Sequence, residues 1–420
     1  MSANAPAPAA VPEAAGAAPW WRARAQLRRF VADSVAGELA RMRHDRSLSN
    51  AHWDDALSLE HDLGVDSLEL MQLAGTLAQA LHLHLSGVED YLLARRTLGQ
   101  WVDIAEVGLA HDARRITFHT SGSGGAPKPC EHALEALEQE AAELARLFAG
   151  RRRLVVAVAC HHLYGFLFSI LLARALGLGA DAVVDARAWL PGQLARRLLP
   201  GDLVLGHPAF WQGVADGALR LPADVVGVSS TAPCAPALAR SLAANGLGAL
   251  VEVYGSSETA GVGWRADPDA PFQLFGHWSR VAALPATLSR TLADGSTVER
   301  ACPDLLDWHD ARSFALGGRH DDAVQVGGVN VFPERVREVL RQHPQVSDAA
   351  VRLMRADEGN RLKAFIVPTA GVDDAAQFTA QLRPWIDRML PAAQRPKAIA
   401  TGTALPRTAA GKLCDWNAGD

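Results

Sequence analysis

Four short apolar runs recur through the middle of the chain: "RLVVAVAC" (153–160), "GDLVLGHP" (201–208), "DVVGVSS" (224–230) and "ALVEVYGSSE" (249–258). Helical patterns separate them, and strands of four to eight apolar residues alternating with helices indicate an α/β sheet domain covered by helices. The flanks read differently. Ahead of the sheet, residues 20–105 are mostly helical, with an amphipathic stretch near 22–42, a polar loop at 43–62 and then "GVDSLELMQLAGTLAQALHLHL". Leu70, Leu73, Leu77 and Leu81 repeat there at helical spacing, and Asp66 or Ser67 stands where an N-cap belongs, so a small helix bundle is expected. A polar connector, "EVGLAHDARR" (106–115), leads into the core at 116–318. The last segment, 319–420, combines a helix "PERVREVLRQH" (333–343), a strand pair "DAAVRLM" and "RLKAFIVPT", and a helix at 374–390, the pattern of a small α+β lobe.

Composition narrows the function. A formal net charge of −5 over 420 residues, with "RRR" (151–153) as the one basic block, argues against a nucleic-acid binder, and that block reads as a solvated face. The five cysteines (130, 160, 234, 302, 414) are widely spaced with no CxxC, which supports neither a disulfide framework nor a zinc site and fits a reducing, cytoplasmic setting. No apolar run reaches the roughly 18 residues of a membrane span. The opening Ala/Pro-rich residues, 1–19, lack the charged and apolar regions of a signal peptide and read as a disordered tail.

The stretch "TFHTSGSGGAPKPC" (117–130) carries the first chemical signal. Gly122, Gly124 and Gly125 free the backbone to curl, so that N–H groups and the hydroxyls of Thr120, Ser121 and Ser123 can face phosphate oxygens with Lys128 as counter-charge. Taken alone, the same stretch also reads as a surface Gly/Ser loop, and the GxxxxGK[ST] pattern is not met.

"TSGSGGAPK" (120–128) resembles the phosphate loop TSG[ST]TGxPK of the adenylate-forming superfamily of acyl-CoA synthetases, peptide-synthetase adenylation domains and luciferases. Further motifs follow in that family's order. "HHLYG" (161–165) is similar to its HxxG helix start, "SSTAP" (229–233) to its [ST]GAP strand end, and "VYGSSETAG" (253–261) to its YGxTE motif. "PDLLDW" (303–308) resembles the TGDL segment, "GGRHDDAVQVGGVNVFPERVREVL" (317–340) the hinge motif, and "LPRTAAGKL" (405–413) PRTxxGK.

The resemblance implies a role for each matching residue. Thr120, Ser121, Gly122, Ser123, Gly125 and Lys128 would hold the phosphates of ATP. Tyr254 would stack on adenine, Ser257 would contact the α-phosphate and Glu258 would bind Mg²⁺. Asp304 and Arg319 would hold the ribose hydroxyls, and Asp321 would be the hinge of the C-terminal lobe. Lys412 would bridge carboxylate and α-phosphate, and His162 joins the catalytic set with the HxxG match. Two anions must meet in such a reaction, so a metal ion and a lysine ammonium neutralise charge where the pentavalent phosphorus forms.

In the helical region, "DLGVDSLELMQL" (62–73) resembles the phosphopantetheine attachment site of acyl and peptidyl carrier proteins, with Ser67 implied as the bearer of 4′-phosphopantetheine. A phosphodiester there would sit at a helix N-terminus, where the dipole favours negative charge. Glu60, Asp62, Asp66 and Glu69 flank the site as candidate docking charges for partner enzymes, among them a phosphopantetheinyl transferase and downstream synthase or tailoring enzymes.

The match also departs from the pattern. Gly124 stands where the family usually has Thr, Ser257 replaces Thr, and Asn330 stands where many members have Lys or Arg. The spacing leads one to expect that the usual N-terminal lobe ahead of the phosphate loop is missing. Its place is taken by the helices, and the segment between "YGSSE" and "PDLLDW" is short. With "HHLYGFLFSILL" and "YGSSETAGVGWR", which includes Arg265, the chain looks most like the compact aryl-acid:carrier-protein ligases of aryl polyene and xanthomonadin-type pigment pathways.

The expected architecture is therefore multidomain: an all-α four-helix carrier bundle, an α/β adenylation core and a small α+β C-terminal lobe. The expected function is ATP- and Mg²⁺-dependent activation of a small aryl or short-chain carboxylic acid, then transfer to the phosphopantetheine thiol of its own or another carrier, in secondary metabolism. Two readings stay open beside it: an adenylation-like platform attached to a working carrier, and an acyl-CoA ligase that uses free coenzyme A.

Overall fold

The computed structural model of the protein describes residues 18–43, 50, 52–120, 128–284, 286–319, 323–327, 329–355, 358–372, 374–407 and 413–417, without the side chains of Thr120 and Arg319. Those residues fall into two compact units. The first runs to Thr120 and adds Pro129–Cys302 and Leu306–Ala315; the second comprises Leu316 onward with Lys128 and Pro303–Leu305. No helix among the described residues is long and apolar enough to cross a membrane.

Four helices open the first unit: α1 (Arg24–Met42), α2 (Ser67–Leu81), α3 (Tyr91–Ala94) and α4 (Leu98–His111). Helix α2 starts where Asp66 accepts from the N–H groups of Leu68 and Glu69 at 2.8 Å each while the Glu69 carboxylate accepts from Asp66 N–H, a capping box that satisfies three orphan donors. Its Leu70, Leu73, Leu77 and Leu81 are buried, as the spacing predicts. It stops at His82, which takes the left-handed conformation with φ 53°. Thr97 and Gln100 repeat the capping box at α4.

These helices pack on one another and also on the sheet domain. Trp20 and Phe30 pack edge-on against Phe166 with ring centres 5.1 and 5.7 Å away, and Phe118 approaches Phe166 at 5.5 Å. All four rings are at most 2 % exposed. Asp33 of α1, 1 % exposed, accepts a hydrogen bond from Cys160 N–H at 2.7 Å. Residues 20–105, expected as a separate bundle, group with the sheet in the first unit. The expected connector at 106–115 is corrected: α4 continues to His111 and a strand begins at Arg115. The cause is apolar, because α4 keeps burying Gly108 and Leu109 in the stretch read as polar.

Strands β1 (Arg115–Thr120) and β2 (Lys128–Ala133) pair and flank the glycine-rich loop, whose residues 121–127 lie outside the described residues. Then come α5 (Leu134–Leu147), β3 (Arg153–Val156), α6 (Leu163–Phe166), a π-helical turn (Leu167–Leu171), α7 (Leu172–Ala175), β4 (Val183–Asp185), α8 (Pro191–Arg197), β5 (Asp202–Gly206), α9 (Pro208–Asp216), β6 (Val226–Ser229), α10 (Pro236–Ala244) and β7 (Ala249–Ser256). The four apolar runs are thus β3, β5, β6 and β7, joined by β4 as a parallel sheet in the order β4-β3-β5-β6-β7. All five residues of β5 are buried, as a strand covered on both faces requires. Between β5 and β6, Trp211 donates to Val228 O at 3.0 Å, and Gly227 leaves room for its ring: a Cβ there would lie 2.6 Å from it. The "RRR" block is solvated only in part: Arg152 is exposed, whereas Arg153 pairs with Asp202, 1 % exposed, at 2.9 and 2.7 Å, and Arg151 bonds Asp224.

The sheet continues antiparallel through β8 (Ala260–Arg265) and β9 (Phe272–Leu274). A separate three-stranded meander follows: β10 (Trp278–Arg280), β11 (Thr287–Thr291) and β12 (Thr297–Ala301). Strands β13 (Asp304–Trp308) and β14 (Ser313–Arg319) complete the nine-stranded sheet.

The second unit holds the hairpin β15 (Val324–Val326) and β16 (Val329–Val331), then α11 (Pro333–Leu340), β17 (Val346–Leu353), β18 (Leu362–Pro368), α12 (Ala375–Met389) and β19 (Ala398–Thr401). This is the α+β lobe expected from the sequence, with α11 and α12 packing on a β17-β18-β19 sheet. Lys363, wholly buried on β18, donates to both Glu358 oxygens at 2.8–2.9 Å and to Trp416 O at 2.6 Å, and lies 3.0 Å from Asp415.

Candidate functional site

Parallel strands point their carboxyl ends to one edge, where the connecting loops are free to carry chemistry. The loops after β3, β6 and β7 leave from that edge, and they hold the sequence candidates around His162, Ser229–Pro233 and Tyr254–Gly261.

The β7–β8 turn is tightly built. Ser256 N–H donates to Thr259 Oγ1 at 3.2 Å, and the Ser256 Oγ accepts from the N–H groups of Glu258 and Thr259, both at 3.2 Å. A Cβ on Gly255 would lie 2.2 Å from Ala260 O, so that close approach requires glycine. Ala260 itself holds φ 60°, and Thr231, in the loop after β6, holds φ 77°. Left-handed conformations cost a non-glycine residue energy and concentrate at functional sites. The turn projects Ser257 and Glu258, both half-buried, side by side at the sheet edge.

Tyr254 is less open than a purine-stacking role suggests. Its ring is 8 % exposed, set against Phe272 and Phe314 at 5.9 and 5.7 Å, and its hydroxyl lies 3.0 Å from Cys302 Sγ.

His162 stands at the N-cap of α6 with an extended backbone (φ −96°, ψ 148°), and its ring lies tilted against that of His161 with centres 4.0 Å apart. His161 is half-buried with its Nδ1 shielded from solvent, and desolvation, then the neighbouring His162, hold its imidazole down at about 3. Gly165 is forced by contact, because a Cβ would stand 1.9 Å from Ala159 O. Tyr164 donates its hydroxyl to Gly206 O at 3.1 Å, which seats α6 on the β5 end, and burial raises its pKa. The helix then loosens into the π turn, a feature frequent at functional sites.

Several contributors escaped the sequence reading. His132 of β2, mostly buried, bonds Ser257 O through Nε2 at 2.7 Å, and burial lowers its pKa. Glu140 of α5 is fully buried and accepts from Gly261 N–H at 2.9 Å. Its Oε2 lies 3.6 Å from the Arg290 guanidinium, yet burial outweighs that cation and pushes the carboxyl up to about 7. No motif marks either residue; each is recognisable only once β2 and α5 are folded against β7 and β8.

Arg265 acquires a role. It pairs with Glu252 at 2.6–2.8 Å and lies 4.5 Å above the Phe272 ring, while the other Glu252 oxygen accepts Cys234 N–H at 3.0 Å. The pair thereby ties the loop after β6 to β8.

The remaining candidates are distributed. Lys128, exposed, opens β2 just after the glycine-rich loop. Asp304, half-buried, opens β13 and Arg319 closes its sheet neighbour β14. Asn330 faces Gln325 across the β15–β16 hairpin and bonds it. Ser121, Gly122, Ser123, Gly125, Asp321 and Lys412 lie outside the described residues. Ser67 is exposed at the first turn of α2. The acidic residues around it are engaged within the chain: Glu69 pairs with Arg43 at 2.6–2.7 Å, Glu60 with Arg96 at 2.5 Å, Asp62 accepts Ser58 N–H at 2.7 Å and Asp66 caps its helix.

No group of three or more His, Cys, Asp or Glu side chains able to hold a metal occurs among the described residues. A single carboxylate such as Glu258 fits a Mg²⁺ that takes its other ligands from nucleotide phosphates and water.

Residues 336–412 match the model of the AMP-binding enzyme C-terminal domain. A 4-coumarate–CoA ligase of Cereibacter sphaeroides is 41% identical over 369 residues, covering 86% of each chain. One of Halorhodospira halophila is 39% identical, covering 92% of this chain and 98% of its own. The amide bond synthetase McbA from Marinactinospora thermotolerans shares the fold, with a TM-score of 0.59 at 17% identity over 93% of both chains.

Proposed function

Since the chain belongs to the AMP-binding enzyme superfamily, in its acyl-CoA synthetase-like branch, we propose that it joins an aryl-type carboxylic acid to the thiol of free coenzyme A. ATP is cleaved to AMP and pyrophosphate. In the first step a carboxylate oxygen attacks the α-phosphorus and pyrophosphate leaves, giving the acyl-adenylate. In the second a thiolate attacks the acyl carbon and AMP leaves with the C–O bond electrons.

The observation that carries the choice of acceptor is the burial of α1–α4 into the first unit. Trp20, Phe30 and Asp33 pack against Phe166 and Cys160, which supports a helical layer that stays with the sheet. Relatives named 4-coumarate–CoA ligase extend over the same span, one of them for 98% of its length.

The residue roles follow from chemistry. Glu258 holds Mg²⁺, which when bound screens the phosphate charge that the incoming carboxylate must approach. Ser257 donates to the α-phosphate. Thr120, Ser121, Gly122, Ser123, Gly125 and Lys128 cradle the outer phosphates, and Tyr254 borders the adenine. Asp304 and Arg319 hold the ribose, Lys412 bridges the two anions, and Asp321 turns the lobe between steps. The loop after β3, with His162, and Gly261 border the acid.

A second reading is favoured by one feature. Ser67 is exposed in an intact DSL motif, with Leu68 71% and Met71 52% exposed beside it, a surface on which a phosphopantetheinyl transferase could act. Incubation with ATP, Mg²⁺, 4-coumarate and coenzyme A separates the two. The first reading expects 4-coumaroyl-CoA at the same rate from wild type and Ser67→Ala. It fails if the acyl group is found only on protein pretreated with a phosphopantetheinyl transferase, and is lost in Ser67→Ala.

A further inference from the structure

Between α1, the π turn and the segment around β4 lies an open cavity of about 280 Å³. Its charged lining consists of Arg28, Arg29, Asp33, Asp185 and Arg187, three cations against two carboxylates. Most of these are matched. Arg187 donates to Asp33 at 2.8 Å and to Asp185, and Asp33 also accepts from Asn50 at 2.6 Å and from Cys160 N–H at 2.7 Å. Burial alone would raise the Asp33 pKa, yet Arg187 and Asn50 are among the groups that hold it near 2, so its charge is permanent. Arg28 pairs with Asp55 at 3.2 Å.

Arg29 is the exception. Its Nε and one terminal nitrogen are buried and have no hydrogen-bond partner. A guanidinium cannot shed its proton, so burying two of its N–H groups unpaired is costly unless an acceptor completes them. Nε and a terminal nitrogen form the side-on fork that takes a carboxylate through two parallel hydrogen bonds. The rest of the lining includes Trp53, Ile170, Val183 and Ala32, an apolar wall for a compact body.

We propose that this cavity is a second ligand site, which binds a small monocarboxylate with an aromatic or compact apolar body, its carboxylate on Arg29. One guanidinium with an open fork takes one carboxylate, and the volume admits a benzoate-sized group. The site adjoins the acid-activating edge: Asp33 holds the backbone at Cys160, two residues before His162, and Ser169 and Ile170 belong to the π turn.

The probe is 4-bromobenzoate, located by bromine anomalous scattering in soaked crystals and titrated calorimetrically. Wild type is expected to show a bromine between α1 and the π turn, and Arg29→Met to lose it with binding weakened roughly 10- to 100-fold. Arg29→Lys keeps the charge without the fork and is expected to fall between. Bromine found only at the sheet edge overturns the proposal. So does a soak in which inorganic phosphate occupies the cavity and 4-bromobenzoate does not, or an Arg29→Met protein that is folded by near-ultraviolet circular dichroism and binds as wild type.

Discussion

His132 donates from Nε2 to the carbonyl oxygen of Ser257 across 2.7 Å, joining the strand that leaves the glycine-rich loop to the turn that bears Glu258. Two elements 125 residues apart in sequence are held in one register by that bond. His132→Ala is expected to cost about 1–3 kcal/mol of stability, because a buried carbonyl is left without its donor. Pyrophosphate exchange is expected to fall at least tenfold, with partial recovery in His132→Gln. Exchange at the wild-type rate in His132→Ala would remove His132 from any positioning role.

Asp33→Ala should be among the most destabilising single changes. It strips Arg187 of a buried partner and leaves Cys160 N–H unpaired, which together cost on the order of 3–5 kcal/mol in urea unfolding.

Acid should weaken the fold through His161. Its folded pKa, about 3, lies below the ordinary 6.5 or so, so the unfolded chain binds the extra proton between those values. Stability is then expected to drop as pH falls from about 6.5 toward 3, by at most about 1.4 kcal/mol per pH unit from this group. His161→Gln, measured over the same range, should flatten the slope.

Glu140 acts with the opposite sign. Its carboxyl is raised to about 7, so the folded state holds the proton more tightly than the unfolded chain between about 4.5 and 7. That contribution is complete below the unfolded value and disappears as pH rises through 7. Glu140→Gln is expected to gain stability relative to wild type as pH rises from 5 to 8; a pH-independent difference would show that Glu140 does not titrate there.

Gly165→Ala would place a methyl 1.9 Å from Ala159 O, and backbone has to move to admit it. The expected loss is about 1–3 kcal/mol. The KM for the acid should rise more than that for ATP, because the displaced segment carries His162.

The parallel strands were legible because burial on both faces leaves them almost purely apolar, as in β5. The lobe was legible from the same contrast, with α11, α12, β17 and β18 near their expected positions. The antiparallel strands between β7 and the lobe were not. β12, "TVERA", has four of five residues exposed and no apolar pattern to betray it. Asp66 or Ser67 read correctly as a helix start, but helix-start chemistry is identical in a free bundle and in a layer of a larger unit. What distinguishes them is what the helical region packs against, and Phe166, the partner of Trp20 and Phe30, could not be named from spacing. Likewise Glu140 and His132 carry no local mark, since their importance arises from chain segments brought together by β7 and β8.

The edge-on cluster of Trp20, Phe30 and Phe166 bears on how this scaffold could be rebuilt. Modular synthetases are recombined by cutting between carrier and activating parts, a surgery that presumes each piece retains its own interior. Here the cut would run through shared aromatic rings, exposing apolar surface on both fragments. Grafting the helical segment onto another enzyme, or replacing it with a borrowed carrier, should yield insoluble halves; new acid preferences would have to be sought by substitution within the intact chain.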